Sequence, residues 1–345
     1  MFWYQEYYSS YRARVDTRRC VIVNQVNDSI SQFAVSQMQL LNPAKFQDAY
    51  RTIDGTPRAH VAMQQIKTLW INTGTLCNLT CKTCYIESSP TNDALIYLTL
   101  AEVDAYLDQT EGLGTHEIGF TGGEPFMNPD IIAMMRSALV RGFEVLVLTN
   151  AMRPMRRFEE RLCKLRSEIG GRLTFRVSLD HYTSALHEAE RGAGSWVKAI
   201  DGCKWLSDGN FRLAVAGRRM PDEIEEVARV GYAELFAKHN LSVDAFDPSA
   251  LTLFPALNAT NDVPEISELC WELLGVSPMF LMCASSRMVI KRKGAQHPTV
   301  VACTLIPYDD RFVLGEALVD TLGAVSLNHP HCARFCVLGG SSCSG

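Results

Sequence analysis

The sequence predicts an α/β protein: a partial (β/α)6 barrel of the TIM type followed by a small cysteine-rich C-terminal domain. Three observations point there. Between about residues 66 and 256, strand-like apolar runs alternate six times with helical stretches, the pattern of parallel strands covered by helices. After Pro255 that alternation stops and the texture becomes irregular. Of twelve cysteines in 345 residues, five fall between Cys283 and Cys343. The chain is therefore divided into an unassigned extension (1–65), a barrel (66–256) and a cysteine-bearing domain that closes on metal (257–345).

The elements follow in order. Lys67–Thr73 is a strand candidate that runs into a first group of cysteines. A helix follows from Leu100, with Thr99 and Glu102 spaced as a capping box. Glu117–Thr121 reads as the second strand. Asn128-Pro129-Asp130 then opens a helix with a capping residue, an early proline and an early acid, and Gly142 closes it. Phe143–Leu148 is the third strand, followed by a helix over about 156–168. Strands at Leu173–Leu179, Phe211–Ala216 and Leu251–Phe254 complete the six, with helices around Trp196–Leu206 and over about 222–238, the last led in by Pro221 and Asp222.

Composition narrows the function classes. With 47% hydrophobic and 21% charged residues, the chain can bury a sizeable core. A net charge of −5 carries no electrostatic footprint for nucleic acid. Short basic runs such as Lys291-Arg292-Lys293 read as solvated faces. No run reaches the roughly 18 uncharged apolar residues of a membrane helix. The aromatic N-terminus, Phe2 to Tyr11, lacks the charged-then-apolar order of a secretory signal, and a cytoplasmic location is expected. In that compartment cysteines serve more often as ligands or catalysts than as disulfides.

The first cysteine group reads Gly74-Thr-Leu-Cys77-Asn-Leu-Thr-Cys81-Lys-Thr-Cys84-Tyr85. A short loop at C-x3-C-x2-C spacing can turn three thiolates toward one point, as iron–sulfur clusters require. Three ligands leave one iron of a 4Fe–4S cluster free for a substrate or cofactor. Zinc wants four ligands, and no His or Cys follows at finger-like spacing, although Cys81-x2-Cys84 could supply two. The second strand ends Gly122-Gly123-Glu124-Pro125, where glycines admit a close approach and a carboxylate can bind an ammonium. Its bland alternative is a strand-to-helix turn.

Taken together, C-x3-C-x2-C after the first strand and G-G-E-P after the second resemble the signatures of the radical S-adenosylmethionine (SAM) superfamily. Many members carry an aromatic residue just before the third cysteine. Here that position is Thr83, and the aromatic is Tyr85 just after it. The resemblance implies a catalytic 4Fe–4S cluster on Cys77, Cys81 and Cys84, with SAM chelating the unique iron. It implies that Gly122, Gly123, Glu124 and Pro125 meet the amino end of SAM. Ser178 and Arg191 would reach its ribose and carboxylate, and Asn150 and Gly217 are further candidates. All these positions lie at strand ends on the C-terminal side, where barrels of parallel strands bind ligands. SAM would be cleaved reductively to methionine and a 5′-deoxyadenosyl radical that takes hydrogen from a peptide or small-molecule substrate. The electron would come from a partner such as flavodoxin or ferredoxin.

Cys332-x3-Cys336-x6-Cys343 resembles the SPASM or twitch extension of the same superfamily, which carries auxiliary 4Fe–4S clusters. Cys283, Cys303, Cys332, Cys336 and Cys343 suffice for one such cluster and not two. His329 and His331 flank Cys332 and keep zinc open as an alternative. Two readings compete with the enzyme: a non-catalytic iron–sulfur electron carrier, which needs no SAM site, and a zinc-stabilised binding module.

Overall fold

The computed structural model describes residues 14–16, 21–23, 40–220, 223–255 and 261–340. Cys343, Pro221 and Asp222 lie outside the described residues. The six expected strands are β1 (Thr68–Asn72), β2 (Glu117–Thr121), β3 (Glu144–Thr149), β4 (Leu173–Ser178), β5 (Arg212–Arg219) and β6 (Leu251–Pro255). They pair in sequence order and all in parallel, so each is joined to the next by a crossover connection. The fold is an open, partial (β/α)6 barrel.

The period of two along each strand separates two cores. Leu69, Ile71, Ile118, Phe120, Val145, Val147, Phe175, Val177, Leu213 and Val215 face outward and form one buried cluster with the helices. The helices are α1 (Leu100–Asp108), α2 (Ile131–Val140), α3 (Glu159–Ile169), α4 (Ser184–Arg191), α5 (Ser195–Asp208) and α6 (Glu225–His239), of which α4 adds no residue to that cluster. Trp70 and Leu146, on the other face, belong to a second cluster on the concave side.

Capping explains where the helices start, with one correction. Thr99 Oγ1 accepts from the Glu102 amide, and Glu102 Oε2 accepts from the Thr99 amide at 2.9 Å, which closes the expected capping box. Asn128 stands ahead of α2, which begins at Ile131, and its Oδ1 accepts from the Asp130 amide at 2.9 Å, so it caps the turn that leads into the helix. Its Nδ2 donates to the carbonyls of Leu98 (2.9 Å) and Thr73 (3.3 Å), so Asn128 ties the turn after β2 to the end of β1. The helix expected over 156–168 divides into a single turn, Arg153–Arg156, and α3. Helix α4 is additional to the expected set.

The C-terminal region continues the same sheet. Strand β7 (Ser286–Ile290) lies parallel to β1, with Ser286 opposite Thr68. Strands β8 (Thr299–Val301) and β9 (Val313–Gly315) follow antiparallel at that edge. The full order is β9-β8-β7-β1-β2-β3-β4-β5-β6. The sheet thus runs through the boundary expected at residue 257. The concave cluster joins Phe46, Ala59 and Val61 to Met288, Val301 and Phe335, so residues 40–65 are packed beneath the C-terminal region. No helix among the described residues is long and apolar enough to cross a membrane.

Candidate functional site

The C-terminal ends of β1 to β6 open into one cleft. The loop after β1 brings Cys77, Cys81 and Cys84 to its wall. That loop is fixed at four points. The Gly74 amide donates to Asn72 Oδ1 (2.9 Å), and the Gly74 carbonyl accepts from the Gly123 amide (2.8 Å). The Leu76 carbonyl accepts from the Glu124 amide (3.1 Å). On the far side the Lys82 amide reaches the Glu190 carbonyl, and Thr83 Oγ1 donates to Glu190 Oε2 at 2.8 Å. Thr83 therefore ties the cysteine loop to α4, while Tyr85 lines the cleft.

The two glycines after β2 are required by that docking. A Cβ on Gly123 would stand 2.2 Å from the Leu76 carbonyl oxygen, and one on Gly122, whose φ is +137°, would stand 2.5 Å from that of Gly74. What approaches these glycines so closely is the backbone of the cysteine loop, and both also line the cleft.

Glu124 is buried and does not line the cleft; neither does Pro125. Its carboxylate accepts from Thr149 Oγ1 (2.8 Å), the Asn150 amide (2.9 Å) and the Phe126 amide (3.3 Å). A carboxylate has about four acceptor positions, so one stays open. Burial pushes its pKa from 4.5 up to about 7 despite these donors. The folded chain therefore holds a proton that the unfolded chain has already lost between those values. The stability this proton confers is full below 4.5 and is lost as pH rises to about 7. Replacing Glu124 with glutamine is expected to flatten the pH dependence of ligand-free denaturation across that window. An unchanged slope would refute the assignment.

Asn150, Ser178 and Arg191 line the cleft. Gly217 does not, and the period of two gives the reason: Ala216 and Arg218 face the cleft, which turns Gly217 toward α6. A Cβ there would stand 2.3 Å from Tyr232 Oη, whose hydrogen donates to the Leu179 carbonyl at 2.7 Å. Gly217 makes room for a packing tyrosine.

Three charged cleft residues escaped the sequence reading: Asp180 and Arg176, and Arg218, whose pair with Arg219 reads as a solvated face but which is largely buried at the cleft. Asp180 Oδ2 accepts from Arg191 Nε (2.5 Å) and Oδ1 from Arg218 Nε (2.9 Å). Burial alone would raise the Asp180 pKa, but the two guanidiniums hold it at about 2. Arg176 carried a readable signal, a charge in the middle of the apolar run of β4. Such a charge belongs on the face turned away from the helices.

The C-terminal cysteines gather at a second place. Cys283, Cys303, Cys332 and Cys336 line one small apolar cavity, together with His331. Cys283 precedes β7, Cys303 follows β8, and Cys332 and Cys336 share one turn of π-helix, Cys332–Val337. Leu305 lines both this cavity and the main cleft. Among the described residues no three His, Cys, Asp or Glu side chains stand as one metal ion would need them. Four thiols around one cavity are the donor set that a four-iron cluster takes, and the three thiols of the main cleft would leave one iron open.

Residues 71–230 match the family model described as the Radical SAM superfamily. The chain is 31% identical over 141 residues to the antilisterial bacteriocin subtilosin biosynthesis protein AlbA of Bacillus subtilis (strain 168), covering 41% of this chain and 30% of that protein. It is 27% identical over 154 residues to the AdoMet-dependent heme synthase of Methanosarcina barkeri (strain Fusaro / DSM 804), covering 44% and 42%. The match spans less than half the length of each of these relatives. Among solved structures, Streptococcus suis SuiB bound to its precursor peptide SuiA aligns with a TM-score of 0.54 at 13% identity, over 76% of this chain and 64% of that one. That likeness is one of fold.

Proposed function

From a chain that carries a radical SAM domain over residues 71–230 and is an enzyme of that superfamily, we propose that this enzyme uses the cleft at the strand ends to generate a radical that abstracts hydrogen from a peptide or small-molecule substrate. The observation that carries this reading is the convergence of three cysteines, two glycines and the Arg191–Asp180–Arg218 network on one wall-to-wall cleft. Cys77, Cys81 and Cys84 would hold the catalytic 4Fe–4S cluster, and their number leaves one coordination position for SAM. That pair of cofactors supplies the reductive cleavage of SAM to methionine and a 5′-deoxyadenosyl radical.

The chain's own groups would bind, orient and shield. Gly122 and Gly123 present bare backbone beside the cysteine loop, and Glu124 acts from behind them, holding Thr149 and the Asn150 amide in place at the cleft wall. Asn150 and Ser178 offer hydroxyl or amide partners to a ribose, and Arg191 offers its guanidinium to a carboxylate. Leu148, Phe254, Leu305 and Phe335 line the cleft with apolar surface that keeps water from a reactive centre. Cys283, Cys303, Cys332 and Cys336 would hold an auxiliary 4Fe–4S cluster. A peptide substrate is favoured by the relative named for bacteriocin biosynthesis and by the fold shared with a structure that holds a precursor peptide.

The test is anaerobic reconstitution, iron and sulfide counting, then addition of dithionite and SAM. About eight irons per chain with 5′-deoxyadenosine formed is the expected result. About four irons with product would refute the auxiliary cluster alone. Full iron loading without SAM cleavage under several reductants would refute the enzyme reading in favour of an electron carrier.

A further inference from the structure

Arg287 lies on β7, four residues after Cys283, and none of it is exposed. Its guanidinium is held by four backbone carbonyls. Nε donates to Thr321 (2.9 Å), Nη1 to Cys283 (2.8 Å) and Ser286 (2.9 Å), and Nη2 to Gly323 (3.1 Å). Carbonyl dipoles solvate a cation but bring no countercharge. Arg58, the other arginine among the largest fully buried side chains, is paired with Glu265. Arg287 has no such carboxylate among the described residues; the ionisable groups that act on it are Cys283 and Cys303. A guanidinium keeps its proton at neutral pH, so Arg287 is cationic.

A buried charge without a partner costs several kcal/mol. Cys283 and Cys303 are two of the four thiols around the small apolar cavity, and thiols carry negative charge when they ligate metal. We propose that Arg287 is the internal counter-ion of the auxiliary cluster, a fixed buried cation that balances its thiolates and raises its reduction potential. The inference rests on the reading that Cys283, Cys303, Cys332 and Cys336 hold such a cluster. Its direction follows from charge: reduction adds an electron to the site, and a nearby cation favours the reduced form.

The test uses the reconstituted Cys81→Ala protein, in which only the auxiliary site should load, so that one cluster is titrated. Arg287→Gln and Arg287→Met are expected to disfavour reduction by about tenfold, a midpoint lower by about 59 mV for one electron. Arg287→Lys, which keeps the charge and loses the planar fork, should hold its midpoint near the parent's. An unchanged midpoint in the neutral variants overturns the proposal, and so does an equal drop in all three, which would make Arg287 a carbonyl scaffold only. Should the neutral variants not fold, the lysine variant decides through melting temperature. Cluster loading should raise it as much as in the parent, and a lost increment overturns the proposal. A parent that loads no iron would instead overturn the auxiliary-site reading itself.

Discussion

Replacing Cys81 with alanine is expected to bring 5′-deoxyadenosine formation down to background while the chain stays folded. A cluster held by three thiolates has no spare ligand, so loss of one removes the electron source outright. The fold should tolerate the change because Cys81 is only half-buried and lies outside the buried core. The loop is anchored by its neighbours: Gly74 and Leu76 on the turn after β2, and Lys82 and Thr83 on α4. Iron counting separates the two cysteine groups, since about four irons should remain on the C-terminal cysteines. Denaturation in urea, followed by circular dichroism, should move by no more than about 1 kcal/mol. Full SAM cleavage by this variant would remove Cys81 from the site.

Much of the fold was legible because its signals are local. Alternation of two along Glu117–Thr121 and the Thr99–Glu102 box each depend on a few adjacent residues, and both elements stand where the pattern put them. The cysteine loop was legible for a similar reason, since all three thiols fall within eight consecutive positions. What escaped depends on long-range pairing. Strand β7 joins β1 across more than two hundred residues, so an apolar run after an irregular stretch carried no hint of its partner. Helix α4 is only eight residues long, with His187 its one buried residue, and so offers too few positions for a period to stand out. Gly217 shows the limit of motif reasoning at a strand end, because the face it presents is set by register and not by residue type. The role of Asn128 was hidden similarly: its partners, Thr73 and Leu98, lie on other elements.

The second large effect is expected at Asp180, where three elements meet. Asp180 follows β4, Arg191 ends α4, and Arg218 lies near the end of β5; the Arg218 amide also donates to the Asp180 carbonyl at 2.9 Å. Asp180→Asn keeps the shape and removes the charge, leaving two largely buried guanidiniums facing each other. Breaking a buried ion pair by neutralising one partner costs about 3–5 kcal/mol, and the partial exposure of both arginines argues for the lower end. The loss should extend to the cluster, because Arg218 Nη2 reaches the Thr83 carbonyl in the cysteine loop at 3.4 Å. A cycle with Arg218→Met tests this directly. Arg218→Met alone leaves Asp180 its Arg191 partner and should cost less. The double variant should recover part of the Asp180→Asn deficit, since one of the two repelling cations is gone. The pH dependence fixes the sign. With its pKa held near 2 against 3.8 when free, Asp180 contributes stability above 3.8 that is lost as pH falls through about 2. The deficit of Asp180→Asn should therefore be level across neutral pH and shrink only in strong acid. A deficit that instead changed across neutral pH, or additive single variants in the cycle, would show that the three side chains do not act as one network.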